Sequence, residues 1–140
     1  MITDKETLNK IGADIIGSAF DIRNMYGRLM LESFYETVME IELRQKGYKV
    51  ERQLPIPIHH KGVIINRAYI ADMLINDSII IEYKAIPRMN GEEFRQLMTY
   101  LKLTGIRLGY LINFGAKDFS FGHFENRERT LDHGLYRVIN

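Results

Sequence analysis

The sequence predicts an α/β fold with a mixed central sheet flanked by helices, and two features carry that expectation. From Tyr48 to Lys84 the apolar pattern leaves helical spacing and ends in Ile79-Ile80-Ile81, an unbroken β-branched run of the kind found in a strand covered on both faces. A second run, RLGYLINF at 107–114, follows a helical segment, and a strand reached through a helix returns parallel to a neighbour.

Thr3, with Glu6 three residues later, has the form of a capping box. Leu8, Ile11, Ile15, Ala19 and Ile22 then recur at helical spacing, so the first helix is expected to end near Tyr26-Gly27. A second opens around Arg28 to Leu31, with Leu31, Phe34, Val38 and Ile41 as its apolar stripe and Gly47 as its stop. The strand that starts at Tyr48 is expected to turn irregular at Pro55 and Pro57, residues that suit a sheet edge. His59-His60-Lys61-Gly62 reads as a turn, Val63 to Ile75 as a strand that bends or bulges near Asn66-Arg67, and Asn76-Asp77-Ser78 as a tight turn. Ser78 to Lys84 completes an antiparallel meander. Asn90 caps a third helix with Glu92 and Glu93 in its first turn, Phe94, Leu97, Met98 and Leu101 on its buried face, and Gly105 at its end. Gly115 to Gly134 reads as a polar loop, and Leu135 to Ile139 as a final edge strand.

One domain over residues 1–140 is the expectation at this length, with enough chain to bury a core without covalent staples. Apolar residues make up 46% and charged residues 26%, which excludes disordered and fibrous classes. The absence of cysteine removes disulfides, thiolate catalysis and cysteine-based zinc sites. The opening MITDKETLNK lacks the apolar centre of a signal peptide, so a cytoplasmic location is expected. A net charge of +1 gives no global field, and a role with nucleic acid must rest on local charge and metal.

Asp72, Glu82 and Lys84 stand inside the apolar strands and need a reason to be there. Glu82 and Lys84 leave the same face of a strand. Asp72 lies opposite Glu82 if the hairpin turns through three residues, Asn76 to Ser78; a two-residue turn would set it against Ile81 unless a bulge restored the match. Two carboxylates roughly 5 Å apart at their Cβ atoms repel by about 3 kcal/mol at an effective dielectric near 20. Lys84 offsets part of that charge, and a hard divalent cation such as Mg²⁺ or Mn²⁺ offsets it more fully. Glu32, in the first turn of the second helix, is a candidate extra ligand, direct or through water. Gln96 and Tyr100, four apart on the third helix, project from one side, where an amide and a phenol can hydrogen-bond a phosphate or the lysine. His59 and His60 point to opposite faces of any strand and are read as solvated. Arg44, Lys46, Lys49 and Arg52 are read as a solvated helix end and its surroundings.

Asp72, then nine residues, then Glu82-Tyr83-Lys84, with Gln96-x-x-x-Tyr100 on the next helix, resembles the PD-(D/E)XK nuclease superfamily, and the glutamine-tyrosine element is similar to that of its RecB-like branch. LESFYE around Glu32 and Tyr35, VERQLPIPIHHKG, YIADMLINDSIIIEYKAI, QLMTYLKLTGIRLGYLINF and YRVIN resemble the small GxxExxY proteins of that superfamily. Two positions depart from the pattern: Leu29 stands at the namesake glycine, and Ala71 at the proline of PD. The resemblance implies a restriction-endonuclease-like αβββαβ core and a metal site of Glu32, Asp72 and Glu82. It further implies Lys84 as the catalytic lysine, Gln96 and Tyr100 in support, and hydrolysis of nucleic acid, DNA before RNA. A nuclease fold without turnover, acting as a binding module, is the alternative. The small surface leaves room for a homodimer or a partner protein.

Overall fold

The computed structural model describes residues 4–123 and 130–140. Helices α1 (Lys5–Tyr26) and α2 (Glu32–Gln45) precede strands β1 (Val50–His60), β2 (Val63–Ile75) and β3 (Ile79–Lys84). A short β4 (Met89–Asn90), helix α3 (Gly91–Thr104), β5 (Leu108–Asn113), β6 (Asp118–Phe121), β7 (Thr130–Leu131) and β8 (His133–Ile139) follow. The main sheet has six strands in the order β1-β2-β3-β5-β8-β6, and β4 pairs with β7 apart from it.

The meander β1-β2-β3 is antiparallel and β3 runs parallel to β5 through the α3 crossover, as the apolar pattern predicts. Ile79, Ile81 and Tyr83 enter a core shared with α1 and α2, while Ile80 enters a second core under α3 with Leu97, Leu101 and Leu111. That two-sided burial is why β3 does not alternate in polarity. Asn90 and Glu93 form a reciprocal capping box at the start of α3, and Gly105 ends it in the left-handed conformation.

Several elements differ from expectation. The Thr3 cap lies outside the described residues; Asp4 caps α1 by accepting from the Thr7 N–H. The buried stripe of α2 is Tyr35, Met39 and Leu43, whereas Leu31 and Ile41 are exposed, with Phe34 and Val38 at the flank. Leu31 precedes the helix with extended backbone, so it is out of helical register. The face is set by Tyr35, which stacks on Phe114 with ring centroids 4.3 Å apart and whose hydroxyl donates to Gly27 O and accepts from Met30 N. Leu29 is exposed, with no left-handed backbone to demand glycine.

Strand β1 continues through both prolines because it is the sheet edge, where a missing N–H costs no ladder bond. Its register with β2 shifts between Ile56 and Ile58, opposite the expected bulge at Asn66-Arg67, and Arg67 is left-handed. His59 and His60 belong to β1, and the turn is only Lys61-Gly62. The expected loop at 115–134 supplies β6, which takes the outer edge and leaves β8 as an inner strand.

Buried Asn113 ties the segment after β3 to β5: its side chain accepts from Ile86 N and Gly115 N and donates to Ile86 O. Asn113→Ala removes all three partners, and urea denaturation is expected to register a loss of about 3 kcal/mol.

Candidate active site

The β2–β3 turn decides whether the acidic side chains meet. It spans three residues: Ile75 pairs with Ile79, Leu74 with Ile80 and Met73 with Ile81, a register that sets Asp72 opposite Glu82. The ladder stops one pair short of them, and the carboxylates take its place. Glu82 Oε1 accepts from the Asp72 N–H at 2.8 Å, and Asp72 Oδ2 accepts from the Tyr83 N–H at 2.9 Å. Strands β2 and β3 therefore fork at the carboxyl end of β3, while β3 stays paired with β5 through Lys84 and Asn113.

Strand β1 changes side at the same level. Val50 packs in the α1/α2 core, yet Leu54 and Ile56, at even spacing from it, pack in the α3 core. The inversion falls at Gln53, a non-glycine residue in left-handed conformation at φ 52°. It sits where the register would place a partner for Asp72, between the pairs Arg52–Met73 and Leu54–Ala71. Such backbone is uncommon and collects at functional sites. Gln53 Nε2 donates to Glu36 Oε1 at 3.0 Å, and Arg52 Nε donates to the same oxygen at 3.1 Å.

Glu36 is a site residue that sequence reasoning missed. It is buried one turn beyond Glu32 on the same face of α2, and that spacing, with a cation in the next strand, was its only signal. Arg52, expected to be solvated, is its ion-pair partner and also reaches Glu40.

The electrostatics follow from crowding. Burial, then the charge of Asp72, pushes the Glu82 carboxyl well above the ordinary range, against the pull of Lys84. Asp72 is raised by burial and by the Glu36 charge, against the Tyr83 N–H and Lys84. Glu32 stands at the exposed rim of the site, and partial burial raises it too, with Lys84 opposing and Asp72 reinforcing. Lys84 is half-buried within electrostatic reach of all three acids, and it closes no ion pair among the described residues. The Tyr83 ring points away, into the α1/α2 core.

Tyr100 was expected beside the buried face of α3; it belongs to that face, packed among Leu97 and Leu101, with its ring edge-on to Tyr69. Its hydroxyl accepts from Gln96 Nε2 at 2.6 Å. Burial and then the Glu82 charge push its pKa up to about 12, so it stays a neutral phenol beside the acids.

A family model described as the PD-(D/E)XK nuclease superfamily matches residues 9–123. The chain belongs to that superfamily. No curated protein and no solved structure gives a significant match. The mixed six-stranded sheet flanked by helices is the restriction-endonuclease-like architecture of the superfamily.

PD-(D/E)XK nucleases generally use divalent metals, and the donor set here fits a hard cation in its chemistry. Asp72 and Glu82 are oxygen donors side by side, raised by burial and by the charge of neighbouring carboxylates, which a cation would offset. Among the described residues no three Asp, Glu or His side chains gather closely enough to hold an ion unaided. One or two carboxylates, completed by water and phosphate oxygens, are what Mg²⁺ asks of a protein.

The raised values make metal-free stability fall with pH. Above about pH 4.5 the unfolded chain has released the Glu82 proton that the folded chain still holds, so stability drops as pH rises toward the folded value. Urea denaturation in chelator is expected to show lower stability at about pH 8 than at about pH 5. Glu82→Gln should flatten that difference, and an equal slope in both chains would refute the assignment.

Proposed function

We propose that the chain is a divalent-metal-dependent nuclease that hydrolyses phosphodiester bonds of nucleic acid, DNA in preference to RNA, with Mg²⁺ or Mn²⁺ as its ion. The reciprocal Asp72–Glu82 pairing beside Lys84 is the observation that carries this reading. Glu32 and Tyr35 support a place among GxxExxY proteins, and the Gln96–Tyr100 hydrogen bond supports the RecB-like branch and hence DNA.

Asp72 and Glu82 would hold the ion, with the Tyr83 carbonyl completing its shell and Glu32 assisting through water. When bound, the ion lowers the pKa of a coordinated water and offsets charge developing on the phosphoryl oxygens. Lys84 orients the attacking water and stabilises that same charge with its ammonium. Gln96 fixes the Tyr100 hydroxyl, and the pair orients Lys84 or the phosphate. Tyr35 anchors the turn before α2 and so sets the position of Glu32. The reading takes the whole chain as one domain, working as a homodimer or with a partner protein. Among the described residues no helix is long and apolar enough to cross a membrane, and a cytoplasmic location belongs to the same reading.

The lack of a ready three-ligand cluster among the described residues favours a second reading, a binding module that keeps the fold without turnover. Cleavage of single-stranded, duplex and branched DNA and of RNA, assayed with Mg²⁺, Mn²⁺ and chelator, decides between them. The nuclease reading expects metal-dependent cleavage and a fall of about 100-fold or more for Lys84→Ala, with Mn²⁺ binding retained by calorimetry. Metal binding without cleavage of any substrate would establish the module instead.

A further inference from the structure

The β1–β2 hairpin does more than deliver Asp72. Strand β2 pairs with β3 only from Met73 to Ile75, so beyond Leu54 and Ala71 the two strands have only each other. Leu54, Ile56 and Tyr69 hold the base of this ribbon against the α3 side, where Tyr69 meets Tyr100 edge-on at 5.8 Å. The remainder stands free. Apart from half-buried Ile58, every residue from Pro57 to Arg67 is exposed, including Val63 at 63%, Ile64 at 55% and Ile65 at 49%. At about 3.3 Å per residue the arm from Leu54 to His60 is about 20 Å long. A two-stranded ribbon exposed on both faces is marginal in water, and exposed apolar residues on it call for an occupant.

Charge selects that occupant. No acidic residue occurs between Glu51 and Asp72, although the chain carries 18 in all. The free part of the arm presents His59, His60, Lys61 and Arg67, all exposed, and none closes an ion pair among the described residues. Elsewhere Arg44, Lys49, Arg52 and Arg88 each have a carboxylate partner. Lys61-Gly62 and Arg67 are all left-handed, a tight tip and a bulge that set the two long cations clear of the strand ladder. A second copy of this surface would oppose like charges, whereas a polyanion complements it.

We propose that the β1–β2 ribbon is a duplex-DNA-binding arm that lies in the major groove and feeds the phosphodiester backbone to the fork at its base. A two-stranded ribbon matches the roughly 12 Å width of the B-form major groove, while the deep, narrow major groove of A-form RNA excludes it. Lys61 and Arg67 contact phosphates, and Val63, Ile64 and Ile65 supply apolar contact with the groove. The proposal rests on the nuclease reading only for the direction of delivery.

The test replaces the two cations without disturbing their backbone, using Lys61→Asn with Arg67→Asn, because asparagine tolerates left-handed φ. Binding of fluorescent duplex DNA, single-stranded DNA and duplex RNA is measured by anisotropy in Ca²⁺ across a salt series. For duplex DNA the expected result is at least tenfold weaker binding and a salt slope reduced by about 1.8, two phosphate contacts at about 0.9 each. Hydrolysis of bis(4-nitrophenyl) phosphate, which cannot reach the arm, is expected to be unchanged. A second variant, Val63→Thr with Ile65→Thr, keeps β-branching and is expected to leave the sedimentation profile as in the parent chain. An unaltered duplex slope, an equal loss on single strands, or a change of oligomeric state in the second variant would overturn the arm. Tight duplex binding that depends on Lys61 and Arg67, in a chain that cleaves nothing, would sink the nuclease reading and leave the arm standing.

Discussion

Two carboxylates occupy the place in the sheet where a pair of ladder hydrogen bonds belongs, and the rest of the site is arranged around that substitution. Asp72 and Glu82 each take a backbone N–H of the opposite strand, so the strands fork without leaving those donors unsatisfied. Ordinary ladder bonds join neutral groups, whereas here negative charge is carried into the centre of a sheet with only the donors and Lys84 to offset it. The raised carboxyls measure the imbalance.

The surrounding structure stiffens what the fork would otherwise loosen. On the β1 side, left-handed Gln53 is clamped to Glu36, and Arg52 clamps the same oxygen. On the β5 side, Asn113 replaces the missing ladder beyond Lys84 with three side-chain bonds. Beneath it, Tyr35, Phe114 and Tyr83 form a stack that links the start of α2 to β3. A packed core resists continuous deformation, so these contacts hold Glu32, Asp72 and Glu82 to one arrangement.

The parts of this fold legible in the sequence are those where a local pattern has one physical solution. Ile79-Ile80-Ile81 admits little but a strand covered on both faces, and the Asn76-Asp77-Ser78 turn supports left-handed residues that close a three-residue loop, which brought Asp72 to Glu82. What stayed hidden depends on partners distant in the chain. Helix α2 carries two apolar stripes, and only the meeting of Tyr35 with Phe114, far along the sequence, selects the buried one. Glu36 looks like any helical glutamate until Arg52 and Gln53 arrive beneath it. Tyr100 reads as a boundary residue because its hydroxyl is polar, but its ring lies in the core. The segment after Gly115 has no period to read, since β6 pairs with β8 and draws its order from that contact.

The charge count around the fork narrows the chemistry further. Glu32, Glu36, Asp72 and Glu82 interact with one another, and Arg52 and Lys84 are the cations set among them. Glu40 and Arg44 join the set through Arg52, so five negative groups against three positive ones leave a deficit of two. Protons can cover it only by keeping buried carboxyls neutral, which removes the oxygens as ligands. A divalent ion, the cofactor proposed here, would cover it in full and would leave those oxygens free to coordinate. Arg52 is committed to Glu36 and Glu40, so it does not compete for the open end of the fork. Among the described residues Lys84 closes no ion pair, and the role proposed for it needs that freedom: an ammonium locked into a contact ion pair would have to break it before meeting charge on a phosphate.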